Sequence, residues 1–166
     1  MAGLRADPNH EGGFTLIELM VVVMVIGILI VIAIPNFLGA KARAQDRATQ
    51  ASIRNALSAA KVLFSDRGNY SSVDAASMIA VEPSLTYEGS NVSSTGPQDV
   101  GVWNFATNVA SDSVSFAALS RTGTCFFAKD VASSPGGGTK YGSAVPGGLV
   151  ACQAVDGSIQ ASSASW

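Results

Sequence analysis

Charge is scarce in this 166-residue chain: Asp, Glu, Lys and Arg make up 13%, against 48% apolar residues. That balance excludes both a long disordered tail and an ordinary charge-coated soluble domain as a description of the whole. Ten Lys and Arg against twelve Asp and Glu give a net charge of −2, so no global field draws the chain to nucleic acid. The one histidine, His10, precedes a long apolar run, which excludes a His-based catalytic triad beyond it. Two cysteines, Cys125 and Cys152, are too few for a structural zinc site. They leave two readings, a disulfide or a pair of unrelated free thiols. A bridge would close a loop of roughly 28 residues, be worth about 3.5 kcal/mol by chain entropy, and place its domain outside the cytoplasm.

What the chain has is concentrated at one end. No charge occurs from Leu19 to Ile34, whereas the sequence beyond Ser65 is dominated by Ser, Ala, Gly, Thr and Asn. Residues 14–34 as a helix rise about 31 Å, the thickness of a bilayer's hydrocarbon core. A cleaved secretory signal would show a shorter apolar core and a small-residue site after it; here Pro35, Asn36, Phe37 and Leu38 follow, then Lys41, Arg43 and Arg47. The helix is therefore expected to stay. Ile53, Ala56, Leu57, Ala60, Leu63 and Phe64 continue it at spacings of three and four, giving one apolar stripe. Gly68-Asn69 supplies a left-handed stop. One helix over 14–67 is predicted, apolar all round in its first half and amphipathic in its second, with residues 68–166 forming a head on the second half.

Two features inside the run break local rules. Glu18 is a carboxylate among Phe14, Leu16, Ile17, Leu19 and Met20, where a charge near the centre of a span costs about 2.5–3.5 kcal/mol. It either marks the interfacial end of the span or has a cationic partner. From Gly27 to Pro35, β-branched residues dominate, and Pro35 cannot donate to the Val31 carbonyl. The helix is weakest there, open to a simple bend or to local melting.

Gly13-Phe14-Thr15-Leu16-Ile17-Glu18-Leu19, after a short hydrophilic leader and before the apolar run, resembles the amino-terminal signature of type IV prepilins and of the related type II secretion pseudopilins. The likeness is close over 13–38 and extends to Phe64 in pattern. It implies a pilin fold and cleavage of a 1–13 leader by prepilin peptidase between Gly13 and Phe14. It also implies N-methylation of Phe14, and use of Glu18 in subunit assembly, opposite the terminal amine of a neighbour. Gly27 and Pro35 match the family's helix-disrupting positions, between which the helix unwinds in the assembled filament. Elementary physics agrees: a new amine in low dielectric needs an opposite charge. Glu18, about 6 Å along the axis from Phe14, aligns with an axially shifted neighbour at least as well as with its own amine.

The resemblance places the leader in the cytoplasm and the head outside. Charge counting points the other way, since Arg5 stands against Asp7 and Glu11 before the span while Lys41, Arg43 and Arg47 follow it. Long trailing domains translocate largely regardless of such charges, and the disulfide reading agrees with the resemblance. The leader is less basic than most in the family.

In the head, a loop is expected through Glu82-Pro83 to Gly96-Pro97, with a short helix near 74–81 capped by Ser72 or Asp74. Strand-like stretches follow at 113–118, 124–131 and 149–155, predicting an antiparallel sheet of three or four strands laid over the helix, an α+β class. Cys125 and Cys152 would tie the second of these strands to the last around Ser133-Ser134-Pro135-Gly136-Gly137-Gly138 and Pro146-Gly147-Gly148, which resembles the carboxy-terminal disulfide loop of type IV pilins. Gly136-Gly137-Gly138-Thr139-Lys140 lacks phosphate-loop spacing. Seven acids after Arg67 are too scattered for a carboxylate pair or calcium loop, unlike the calcium-bearing heads of major type II pseudopilins. From Lys41 to Arg67 six bases face two acids, a surface able to meet phosphates of DNA or lipid but more often a solvated or subunit-facing helix.

The sequence therefore points to a structural subunit, expected to be a major pilin, with no catalytic residue, cofactor or metal. Its partners would be copies of itself in a helical homopolymer, prepilin peptidase, the pilus assembly machinery and, before assembly, the cytoplasmic membrane; DNA and surface ligands are unsupported. The filament would be extracellular. The alternatives are a minor pilin or type II secretion-like pseudopilin, and a single-span membrane protein whose head binds a ligand alone.

Overall fold

The computed structural model describes residues 13–104, 112–132, 137–146 and 151–166. Residues 1–12, most of the leader expected at 1–13, and residues 105–111, 133–136 and 147–150 lie outside the described residues. In order, the elements are α1 (Leu16–Arg67), α2 (Ala75–Val81), β1 (Thr86–Glu88), β2 (Asp99–Asn104), β3 (Ser113–Leu119), β4 (Cys125–Val131), β5 (Gly138–Ala144) and α3 (Ala154–Gln160). The chain divides into two compact units, Met1–Ala40 and Lys41–Trp166.

The first unit holds the apolar half of α1, where every residue from 13 to 38 is exposed. Burying one Leu, Ile or Val is worth about 1.5–3 kcal/mol, so such a surface needs lipid or other protein around it. By length and composition this helix is able to cross a membrane.

In the second unit α1 is amphipathic. Ile53, Ala56, Leu57 and Ala60 are buried on its stripe and Leu63 and Phe64 pack beside them. The helix ends where the glycine stop places it: Gly68 adopts φ +74° and its N–H donates to the Phe64 carbonyl at 2.6 Å. Asp74 caps α2, accepting from Ser77 N at 2.7 Å while Ser77 Oγ accepts from Asp74 N at 2.9 Å.

The sheet corrects the sequence reading. Among the described residues it has five strands in the order β1-β2-β3-β4-β5, with β1 parallel to β2 and the other pairs antiparallel. It is thus mixed, and larger than the three or four antiparallel strands expected. On the α1 face, Val100, Val102, Val114, Phe116, Ala118, Phe126 and Ala128 join Ile53 and Leu57 in one core. On the opposite face Ala117, Cys125 and Phe127 pack with Cys152 and Ala161. There the expected strand at 149–155 is replaced, over its described part, by a bend at Cys152 and the start of α3. The physical reason is space. Ser115 Oγ donates to the Ala154 carbonyl at 2.7 Å, and a Cβ at Gly142 would collide with the Gln160 carbonyl, so small residues let α3 and its exit lie directly on the sheet. Residues Ser113 and Ser115, which alternation would turn to solvent, are buried beneath this layer.

The outer edge of β5 is closed by the chain end. Tyr141 N donates to the Ser163 carbonyl at 2.6 Å, and Ser163 N donates back to the Tyr141 carbonyl at 3.0 Å, which masks a backbone row that would otherwise template further pairing.

Candidate functional site

Residues Gly13, Phe14 and Thr15 precede the helix, and α1 begins at Leu16, two positions later than the Phe14 start expected. Phe14 is 90% exposed. The start is fixed by a reciprocal cap. Thr15 N and Thr15 Oγ1 donate to Glu18 Oε2 at 2.9 and 2.8 Å, and Glu18 N donates to Thr15 Oγ1 at 3.3 Å. This is the Thr-x-x-Glu capping box; its spacing was visible in the sequence and escaped that reading. The structure therefore brings Glu18 together with Thr15 in the same chain, through one of its two carboxylate oxygens.

Around the cap, Phe14, Ile17, Glu18, Val21 and Val22 line one shallow surface, and Leu19, Met20, Val23 and Met24 line another. The site is thus a carboxylate set in an apolar, uncovered helix face, able to offer an opposite charge and van der Waals contact.

Neither Gly27 nor Pro35 interrupts α1 in this structure. Pro35 withholds a donor from the Val31 carbonyl, while Asn36 Nδ2 donates to the adjacent Ile32 carbonyl at 3.3 Å. Melting between the two positions in a filament is a proposal taken up below.

Cys125 and Cys152 are bonded to each other, with Cα atoms 5.5 Å apart. The bridge joins β4 to the bend before α3, where Cys152 takes φ +51°, and not to a last strand as expected. Among the described residues no group of three or more His, Cys, Asp and Glu is placed to hold a metal.

Sequence reasoning missed one cluster, in the head. The Asp130 carboxylate is buried and accepts from Tyr70 Oη at 2.5 Å and from Thr139 Oγ1, with Lys61 Nζ 3.3 Å away. Asp112 Oδ1 accepts from Tyr70 N at 2.9 Å. Five residues from α1, the turn after it, β4, β5 and the loop before β3 meet there. No signal in their separate positions points to it, because the sheet register creates the contact.

Residues 8–34 match the prokaryotic N-terminal methylation motif. The chain is similar to a type IV major pilin protein, PilA, of Myxococcus xanthus, with 45% identity over 67 residues, 40% of this chain and 30% of that protein. It is 41% identical over 68 residues to the type IV wide pilus major component PilA4 of Thermus thermophilus, 41% of this chain and 52% of that one. Over 46 residues it is 37% identical to the competence protein ComGC of Halalkalibacterium halodurans, 28% of this chain and 45% of that one. The chain thus spans about a third to a half of the length of these relatives. No solved structure matches it.

Proposed function

We propose that the chain is a type IV pilin, a structural subunit of the major class, which polymerises through α1 into an extracellular pilus filament; the methylation motif at residues 8–34 and the likeness to two major pilus components support this reading. The observation that carries this is one surface: a capped carboxylate, Glu18, on a helix whose residues 13–38 are all exposed and nearly all apolar. Prepilin peptidase cuts after Gly13 and Phe14 becomes a methylated amino terminus. The cut subunit waits in the cytoplasmic membrane with its head, residues 68–166, outside. During assembly Glu18 meets the amine of an adjacent subunit, and α1 gives way between Gly27 and Pro35. This role is structural, with no reaction assigned to the head.

The capping box sharpens the test, because it gives Glu18 a second job inside its own chain. Gln at the same place keeps the cap, since Glu and Gln both serve at the third helical position, but removes the charge. Glu18→Gln therefore isolates the intermolecular role. Leaving the neighbour's buried amine unpaired costs about 3–5 kcal/mol per contact. Electron microscopy of cells carrying Glu18→Gln as their only pilin should show no filament, with cleaved subunit accumulating in the membrane. Normal filaments from that strain would refute the assembly role and leave Glu18 as a helix cap at the interfacial end of the span.

A further inference from the structure

The basic stretch after the span has no use in the account so far, and in the head it is organised into a groove. Lys41, Ala44, Gln45, Ala48, Ala51 and Ser52 of α1, with Pro97, Gln98 and Arg121 opposite, line an open groove of about 620 Å³. Its α1 wall follows from spacing, since positions 41, 44, 45, 48, 51 and 52 share one helix face. The floor is made of alanine methyls, and its two charged lining residues, Lys41 and Arg121, are both cations.

Arg121 is held in place from both sides. It lies in the β3–β4 turn, where Gly123 N donates to the Ser120 carbonyl at 2.9 Å. Its neighbours Ser120 and Thr122 both donate through their hydroxyls to Asp46 Oδ1, at 2.6 and 2.5 Å. Asp46 thus clamps the turn onto α1 through neutral donors. Its own charge counts against the cations near it. Lys41, Arg43, Arg47 and Arg121 are exposed, so four cations stand against two carboxylates in this region, Asp46 and Asp99, the latter accepting from Thr95 N and Oγ1.

The position along α1 selects the anion. Lys41 comes three residues after Leu38, the last apolar residue of the run, a rise of about 4.5 Å, comparable to the headgroup layer that flanks a bilayer's hydrocarbon core. A cation there meets lipid phosphate. We infer that the groove docks the headgroup phosphate of an anionic phospholipid, with Lys41 and Arg121 on the phosphate, Gln45 and Gln98 supplying amide donors, and the Ala44–Ala48–Ala51 floor receiving the glycerol end. The lipid would be held while the subunit is stored in the membrane and released when α1 leaves it. The inference rests on membrane insertion of residues 14–34. It is independent of filament formation, so its failure leaves the filament proposal standing.

The test is native mass spectrometry of the full chain released from detergent micelles and titrated with short-chain phosphatidylglycerol or phosphatidylcholine. Each Lys or Arg near an anionic headgroup contributes about a fivefold preference, so phosphatidylglycerol should be retained about 25-fold better. K41Q/R121Q should abolish that preference. K41R/R121K, which keeps the charge, should restore it, and R43Q/R47Q, which removes as much charge outside the groove lining, should leave most of it. Equal retention of the two lipids overturns the inference, as does an unchanged preference in K41Q/R121Q. An equal loss in R43Q/R47Q would mean a diffuse basic belt and no groove site. Displacement by equimolar inorganic phosphate would mean a small-anion site. Self-association lost in K41Q/R121Q without any lipid preference would assign the groove to a second copy of the chain. Each of these three outcomes also overturns the inference.

Discussion

Asp130 is the residue on which the head's acid stability turns. Burial pushes its carboxyl up, but hydrogen bonds from Thr139 and Tyr70 and the nearby Lys61 ammonium outweigh burial and hold it below the usual carboxylate range. A depressed folded value means that its contribution is present above the unfolded value, about pH 3.9, and is lost as pH falls through the folded one. The melting temperature should therefore be flat above about pH 5 and fall below about pH 4. Asp130→Asn should melt lower at pH 7, by about 1–3 kcal/mol for the weakened network, with a shallower acid limb; calorimetry across pH 2–7 checks both. Tyr87 is the converse case. Its hydroxyl is buried without a hydrogen-bond partner among the described residues, and burial and then Glu82 push the phenol up to about 12, so it stays neutral. Tyr87→Phe removes an unsatisfied polar atom and should raise stability by up to about 1–2 kcal/mol in urea melts; a loss of stability would reveal a partner for that oxygen.

Among the elements, two fastenings hold the sheet, the Cys125–Cys152 bridge on the face away from α1 and Trp166 on the α1 side. The Cys125–Cys152 bridge ties β4 to the start of α3. Reducing it, or replacing both cysteines with alanine, should cost about 2–5 kcal/mol, and non-reducing peptide mapping of the mature head should recover one linked pair. Trp166 is the second. Its ring sits 4.4 Å from Tyr141 and edge-on to Phe126, its Nε1 donates to the Gly142 carbonyl at 3.0 Å, and Arg54 of α1 lies 4.8 Å over it. Trp166→Ala should destabilise the head by about 2 kcal/mol, less than a fully buried Trp, as measured by urea unfolding. The elements differ in how far they could be read beforehand. The stripe from Ile53 to Phe64 and the Gly68 stop speak through periodicity and backbone freedom, which are local. β3 and β4 carry Val114, Phe116, Phe126 and Phe127, enough apolar weight to mark strands. β5, Gly-Thr-Lys-Tyr-Gly-Ser-Ala, has no alternation because glycines leave room for the α3 exit. β2 did signal itself through Val100 and Val102 just beyond the expected loop and was overlooked, while the three-residue β1 lies inside that loop. α3, Ala-Val-Asp-Gly-Ser-Ile-Gln, is too short for a helical period and reads as strand through Val155. What was illegible depends on which surfaces meet across the sheet.

For the whole molecule, the two units divide the work. The second unit, Lys41–Trp166, which holds the head and the amphipathic half of α1, has its own core on both faces of the sheet and needs nothing from the apolar segment to bury it. The apolar segment has no core and exposes Phe14, Leu16, Ile17 and the residues that follow, so on the proposed function lipid covers it before assembly and other subunits afterwards. Such a division suits a subunit that moves between two solvents while its head stays folded. It also explains why the candidate site was more legible than the head: Gly13, Phe14, Glu18, Gly27 and Pro35 stand out in the sequence by position, charge, backbone freedom or a missing donor against an apolar background. The most direct test of the central claim is the intact mass of the subunit in filaments sheared from the cell surface. The account predicts one dominant species beginning at N-methylated Phe14, lacking the 13 leader residues and two hydrogens lighter than its reduced form. Filaments built without this chain, or a filament subunit still beginning at Met1, would contradict it.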